Sequence, residues 1–146
     1  MDGYYNNPEA SNTVLSPDGW LHTGDLGVLD PDGYLYIKGR SKSLILGPSG
    51  QNIYPEEIED LLNAQPYIAE SLVIEREGKL VALVYPDAEA MKQNKISREA
   101  LLKIIHETRK QINQQIPAYS QIARIEIHDE EFEKTPKRSI KRFLYQ

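Results

Sequence analysis

The sequence contains no cysteine, which removes disulfide scaffolds, thiolate zinc sites, iron–sulfur clusters and thiol nucleophiles together. Long hydrophobic runs are missing too. The longest, Leu80 to Tyr85, falls far short of the roughly 18 apolar residues that a membrane-spanning helix needs, and mean hydropathy is −0.54. The opening Met1-Asp2-Gly3-Tyr4-Tyr5 has neither the basic head nor the apolar core of a secretory signal. Positive charge does not dominate either. With 17 Lys+Arg against 22 Asp+Glu the formal charge is −5, so a generally basic, nucleic-acid-type surface is excluded and only a local basic patch remains open. No repeat or low-complexity segment is visible. A chain of 146 residues can bury one modest core, or one small domain with an appendage. The expectation is a soluble, cytoplasmic globular chain with no nucleic-acid partner.

The chain changes character near residue 40. Before it, glycine and proline punctuate the sequence and no helical apolar period occurs. Two turn signals stand out, Ser16-Pro17-Asp18-Gly19 and Asp30-Pro31-Asp32-Gly33, each followed by a strand-like stretch, Trp20-Leu21-His22 and Tyr34-Leu35-Tyr36-Ile37. Leu26 to Leu29 can pair back on Tyr34 to Ile37 as a hairpin. So small a piece is a doubtful independent folder and reads as the edge of something larger. Beyond residue 40 the pattern predicts a compact α+β fold, a small mixed or antiparallel sheet with packed helices. Tyr54-Pro55-Glu56-Glu57-Ile58-Glu59 opens a helix, with Pro55 in its first turn and carboxylates at the positive end of its dipole. Ile58, Leu61 and Leu62 supply its apolar face. Ile68 to Glu75 and Leu80 to Tyr85 form two strands joined around Glu77-Gly78. Ser97 caps a second helix whose stripe is Leu101, Ile104, Ile105 and Ile112, ended by Pro117. Ile122, Ile125 and Ile127 belong to a further short strand, and a basic tail closes the chain.

Four stretches could carry chemistry. In Gly19-Trp20-Leu21-His22-Thr23-Gly24-Asp25-Leu26-Gly27, a carboxylate at a strand end between glycines can accept two hydrogen bonds from a vicinal diol such as a ribose; the plain reading is a turn Asp bonding its own loop. In Gly39-Arg40-Ser41-Lys42-Ser43-Leu44-Ile45, Arg40 offers a planar fork to hydroxyl or phosphate oxygens, though strand-end charge is ordinary. Gly47-Pro48-Ser49-Gly50-Gln51-Asn52 is a bare loop that either admits a thin ligand or simply leads into the helix. The tail Lys134-Thr135-Pro136-Lys137-Arg138-Ser139-Ile140-Lys141-Arg142 holds five cations in nine residues. They could meet a phosphate or carboxylate, or be merely solvated.

Taken in this order and spacing, the four stretches resemble the end of the acyl-adenylate-forming enzymes, the AMP-dependent synthetase and ligase superfamily. Within it the long-chain fatty-acid–CoA ligases look nearest. The likeness runs from Met1-Asp2-Gly3-Tyr4-Tyr5-Asn6-Asn7-Pro8-Glu9-Ala10 through Trp20-Leu21-His22-Thr23-Gly24-Asp25, Gly39-Arg40-Ser41-Lys42 and Asn52-Ile53-Tyr54-Pro55-Glu56-Glu57-Ile58-Glu59.

The resemblance implies an enzyme that activates a fatty acid with ATP and Mg2+ to acyl-AMP and then passes the acyl group to coenzyme A. On that footing Asp25 holds the ribose hydroxyls of the adenylate and Arg40 contacts the ribose and phosphate side. Lys42 is the hinge about which the C-terminal domain rotates between half-reactions. Gly50 lines the passage for the pantetheine arm of CoA. Trp20, Tyr34 and Tyr54 are packing residues. A tail lysine should reach the α-phosphate and the carboxylate during adenylation. An ungapped reading on Thr135-Pro136 puts Ser139 there, a reading slipped by a residue or two puts Lys141, and Lys137 is a third candidate. Lys141 is taken as the catalytic residue. The Mg2+ ligands, the phosphate loop, the adenine pocket and the acyl tunnel belong in the family to a large N-terminal domain, and any peripheral membrane contact would also lie there. Residues 1–40 are therefore expected to be the C-terminal edge of that domain and 41–146 the mobile C-terminal domain. The chain is expected to be a C-terminal piece, inactive alone, with its own N-terminal domain as partner. Two other readings stand beside it: delivery of the acyl group to a carrier protein, and a stand-alone module docking on a separately encoded adenylating domain.

Overall fold

A computed structural model describes residues 1–146 and divides them into two compact units, Met1–Lys42 and Ser43–Gln146. The first unit opens with a short helix, α1 (Pro8–Val14), that the sequence pattern does not announce. It has no apolar stripe and buries no residue. Its start is fixed by capping: Pro8 occupies the first turn and the Asn7 side chain accepts from Ala10 N–H at 3.0 Å. Trp20-Leu21-His22 forms no strand, only a single bridge between Leu21 and Leu15. The expected hairpin is present as β1 (Asp25–Leu29) antiparallel to β2 (Leu35–Arg40). Its turn is tied by Asp30, whose Oδ1 accepts from Asp32 N–H at 3.0 Å and Tyr34 N–H at 2.8 Å. No hydrophobic residue of this unit is buried. Trp20 and Tyr34, expected to pack, are 72% and 68% exposed, because the unit offers no second layer to pack on.

The second unit carries the whole core. A two-residue ladder, β3 (Ile45–Leu46) with β4 (Asn52–Ile53), leads into α2 (Pro55–Asn63). Next come β5 (Ile68–Arg76), β6 (Lys79–Pro86), a short helix α3 (Ala88–Gln93), the long α4 (Arg98–Gln115) and β7 (Ile122–Ile127). Ser97 Oγ accepts from Ala100 N–H at 3.1 Å, the cap expected for α4, and the chain turns extended at Ile116 just before Pro117.

The sheet order is β5-β6-β7, with β5–β6 antiparallel and β6–β7 parallel across the α3–α4 crossover. Strand alternation splits the apolar residues between two faces. Val73, Ala82, Val84 and Ile122 join Ile58 and Leu62 of α2 and Leu101, Ile105 and Ile112 of α4 in the larger cluster. Leu72, Ile74, Val81 and Leu83 form the other face, covered by Phe132, Ile140 and Tyr145 of the tail. This is the α+β class that the sequence pattern indicates. No helix is long and apolar enough to cross a membrane.

Candidate functional site

Within the first unit, hairpin register brings Asp25 and Arg40 opposite one another as the first pair of the β1–β2 ladder. Arg40 Nε lies 3.2 Å from Asp25 Oδ1, with both side chains open to solvent. The register slips between Leu26 and Gly27, a local bulge beside the pair that re-aims the strand end. Ser41 N–H donates to Gly24 O at 2.8 Å, closing the open end of the hairpin. A carboxylate already held by a guanidinium at a solvent-facing strand end can accept two hydroxyls of a sugar, while the rest of the fork stays available for an oxyanion. Lys42 follows in the short turn Ser41–Ser43, exposed, and is the last residue of the first unit.

Gly50 lies in the second unit on the turn between β3 and β4. Its N–H donates to Gly47 O at 2.9 Å, and Gly47 N–H donates to Gln51 O at 2.8 Å. Gly50 has φ +80°, and a Cβ placed on it meets nothing within 4 Å. Within this chain the residue is demanded by backbone conformation, not by a close neighbour. The same turn borders a cavity of about 250 Å3, completed by Gly78, Lys79 and Leu80 at the β5–β6 turn and by Ala118, Tyr119 and Ala123.

The tail is a second hairpin, with a bridge between Lys134 and Ile140 and a turn closed by Arg138 N–H to Thr135 O at 2.8 Å. Arg138 takes φ +61°, the left-handed conformation that ends the turn. Ile140 packs inward on the sheet. Ser139 and Lys141 flank it in sequence and so share the opposite side of the strand. Lys141 Nζ lies 3.2 Å from Glu133 Oε2 across the hairpin. Lys137 is exposed in the turn. Lys134 is committed elsewhere: it pairs with Glu131 and lies 2.5 Å from Glu70 Oε1, and these two carboxylates hold its ammonium charged above the usual range.

Two residues that sequence reasoning left without a role are structurally prominent. Glu59 on α2 and Arg142 in the tail form a buried ion pair, with Arg142 Nη2 at 2.5 Å from both carboxylate oxygens. Burial pushes the Glu59 carboxyl above the usual range, and the Arg142 guanidinium and the Val73 N–H pull it back. A signal was present. Pro55, Ile58, Glu59 and Leu62 lie on one helical stripe and all four are buried, so a carboxylate on an apolar face announces a buried partner. Nowhere do three or more His, Asp or Glu side chains come together as a metal site.

The second unit is a small mixed sheet with a glycine turn before its first helix and a basic hairpin clamped on one face. Residues 42–145 match the AMP-binding enzyme C-terminal domain, and the chain belongs to this family. The chain is 48% identical over 88 residues to indoleacetate–CoA ligase of Aromatoleum aromaticum, an alignment covering 58% of this chain and 17% of that protein. It is 39% identical over 105 residues to 2-succinylbenzoate–CoA ligase of Bacillus cereus, covering 72% and 21%. Its fold is similar to the adenylation domain of a carboxylate reductase from Mycobacterium chelonae, with TM-score 0.81 and 22% identity over 97% of this chain and 24% of that one. The chain thus spans about a fifth of the length of these curated relatives.

Proposed function

We propose that this chain is the C-terminal part of an ATP-dependent acyl-CoA synthetase. Residues 1–40 would be the closing edge of its large adenylating domain and 41–146 its mobile C-terminal domain. The observation that carries the reading is the Asp25–Arg40 pair at a solvent-facing strand end, immediately followed by a domain of the AMP-binding family. In the first half-reaction the acid's carboxylate oxygen attacks the α-phosphorus of ATP, forming acyl-AMP and releasing pyrophosphate. Asp25 accepts the ribose hydroxyls, and Arg40 steadies Asp25 while facing the phosphate side. Lys141, on the tail hairpin, stabilises charge at the α-phosphate as that bond forms. In the second half-reaction the CoA sulfur attacks the acyl carbonyl and AMP leaves. Rotation about Lys42 would exchange the tail for the Gly50 turn at the reaction centre, and the pantetheine arm would pass that turn. Magnesium would arrive with the ATP phosphates. A cytoplasmic setting suits chemistry that draws on ATP and CoA.

The exposed apolar residues of the hairpin, among them Val28, Leu29, Leu35 and Ile37, support an edge made to be covered by the rest of an adenylating domain. A long-chain fatty acid is the acid suggested by the opening segment Met1–Ala10. The two relatives compared above are named for indoleacetate and 2-succinylbenzoate and lend that choice no weight. The test uses full-length enzyme with each half-reaction measured separately over a panel of acids. Lys141→Ala should lose adenylation by about 10²–10³-fold and keep thioester formation from supplied acyl-AMP. If Lys137→Ala alone has that effect, the assignment moves to Lys137. Asp25→Ala should raise the KM for ATP. The 146-residue chain by itself should show no ATP–pyrophosphate exchange, and detectable exchange would refute the reading of it as a dependent part.

A further inference from the structure

The Glu59–Arg142 pair has a place in the fold that a packing role does not exhaust. β5 is an edge strand, so the backbone groups of Val73 that point away from β6 need partners, and Val73 is fully buried. Glu59 Oε1 accepts the Val73 N–H at 2.7 Å. Arg142 Nη1 donates to the Val73 carbonyl at 3.0 Å, while its Nη2 meets both oxygens of Glu59. Two residues earlier on the same edge, Ser71 Oγ donates to Asn63 Oδ1 at 2.8 Å. One guanidinium therefore ties together α2, the free edge of β5 and the tail.

Arg142 directly follows Lys141 and lies three residues beyond Ser139. The other leg of the tail hairpin is pinned as well, by buried Phe132 and by Lys134 on Glu70 of β5. Between the two anchored legs, Pro136 to Ser139 stand exposed. A turn held at both ends presents its cations at a fixed place, whereas a tethered tail would have to be ordered anew at each turnover. A buried ion pair commonly gives no more stability than an apolar pair of similar shape. What a planar fork with three acceptors supplies is direction.

We propose that Arg142, locked by Glu59 and the Val73 carbonyl, is a positioning residue that aims the Lys137–Lys141 segment during adenylate formation. This rests on the reading above that the tail serves adenylation. The experiment uses full-length enzyme carrying Arg142→Lys, Arg142→Met or Glu59→Gln. Adenylation is followed by ATP–pyrophosphate exchange with dodecanoate, indoleacetate and 2-succinylbenzoate as probes. Thioester formation is followed from CoA and the synthetic adenylate of the acid that exchanges. Arg142→Lys keeps the charge and loses the fork, and should lower kcat for adenylation by roughly ten- to a hundredfold. KM for ATP should stay within about twofold, with thioester formation unchanged. Amide exchange at Thr135–Lys141 should quicken while the β5–β7 amides stay protected. Glu59→Gln should give the same pattern, and it keeps the test open if Arg142→Met does not fold. Adenylation within about twofold of wild type in all variants, or both half-reactions falling in step, would overturn the positioning role alone. A Lys137→Ala/Lys141→Ala double variant separates the two ideas. If it adenylates normally, the reading of the tail falls and the positioning role with it.

Discussion

Glu59 shows how much one buried charge can report. Its carboxyl is pushed up chiefly by burial, with Arg142 and the Val73 N–H opposing. The native state therefore holds the Glu59 proton more tightly than the unfolded chain does. The resulting stability is fully present below the unfolded pKa and is lost as pH rises through the raised native value. Glu59→Gln has no such titration. In urea melts of the 146-residue chain between about pH 4 and pH 8, wild type should lose ground to the variant as pH rises. Wild type gaining ground would show that Arg142 outweighs burial and that the native carboxyl is depressed. The sequence stripe that contains Ile58 and Leu62 also contains Glu59, so its burial was legible; its partner, 83 residues away, was not, because periodicity says nothing about contacts distant along the chain. Asp25 and Arg40 were legible as residue types. Their pairing follows from hairpin register, which places strand ends opposite one another.

At the scale of elements, turn chemistry and helix caps carried most of the information. The β5–β6 connection takes φ +53° at Glu77 and +73° at Gly78, the left-handed pair that a two-residue hairpin requires. Gly78 adopts it freely, but Glu77 is an ordinary L-residue held where its Cβ is crowded. Glu77→Asn should therefore stabilise the chain by about 0.5–1 kcal/mol, read as a higher urea midpoint with an unchanged slope. A loss would mean that the Glu77 side chain makes a contact worth more than the strain. Gly50 calls for the opposite sign. Gly50→Ala at φ +80° should destabilise the second unit by about 1–2 kcal/mol, and Gly50→Asn, which tolerates that conformation, should cost less. If both variants keep their fold yet only thioester formation suffers in full-length enzyme, the turn acts on the thiol arm beyond its own geometry. The helices α2 and α4 and the strands β5 and β6 were readable because each couples a period to a start or stop signal. α1 was not, since capping at Asn7 and Pro8 makes it without any apolar stripe. The direction of β7 was hidden as well, because the spacing of Ile122, Ile125 and Ile127 is the same for parallel and antiparallel pairing.

The molecule as a whole places its stability and its proposed nucleotide-facing pair in different units. Every buried hydrophobic residue lies between Ile45 and Phe132, in the unit that begins at Ser43. The unit ending at Lys42 holds Asp25 and Arg40 and buries no apolar side chain. Since hydrophobic burial dominates folding free energy and sets the denaturant slope, residues 43–146 alone should unfold as cooperatively as the full 146, with the same midpoint and slope within error. Residues 1–42 alone should be unstructured in water, as an isolated hairpin with no covering layer is marginal at best. A fall in midpoint worth more than about 1 kcal/mol on removing residues 1–42 would contradict this, because it would require apolar burial that the first unit lacks. The complementary measurement is hydrogen exchange in full-length enzyme. There the β1–β2 amides should be protected to the level of a domain core, since the exposed side chains of Val28, Leu35 and Ile37 would gain the layer they lack here. Rapid exchange at β1–β2 in that setting would instead identify the first unit as a linker, and the Asp25–Arg40 pair would then lack the fixed frame that the proposed ribose contact needs.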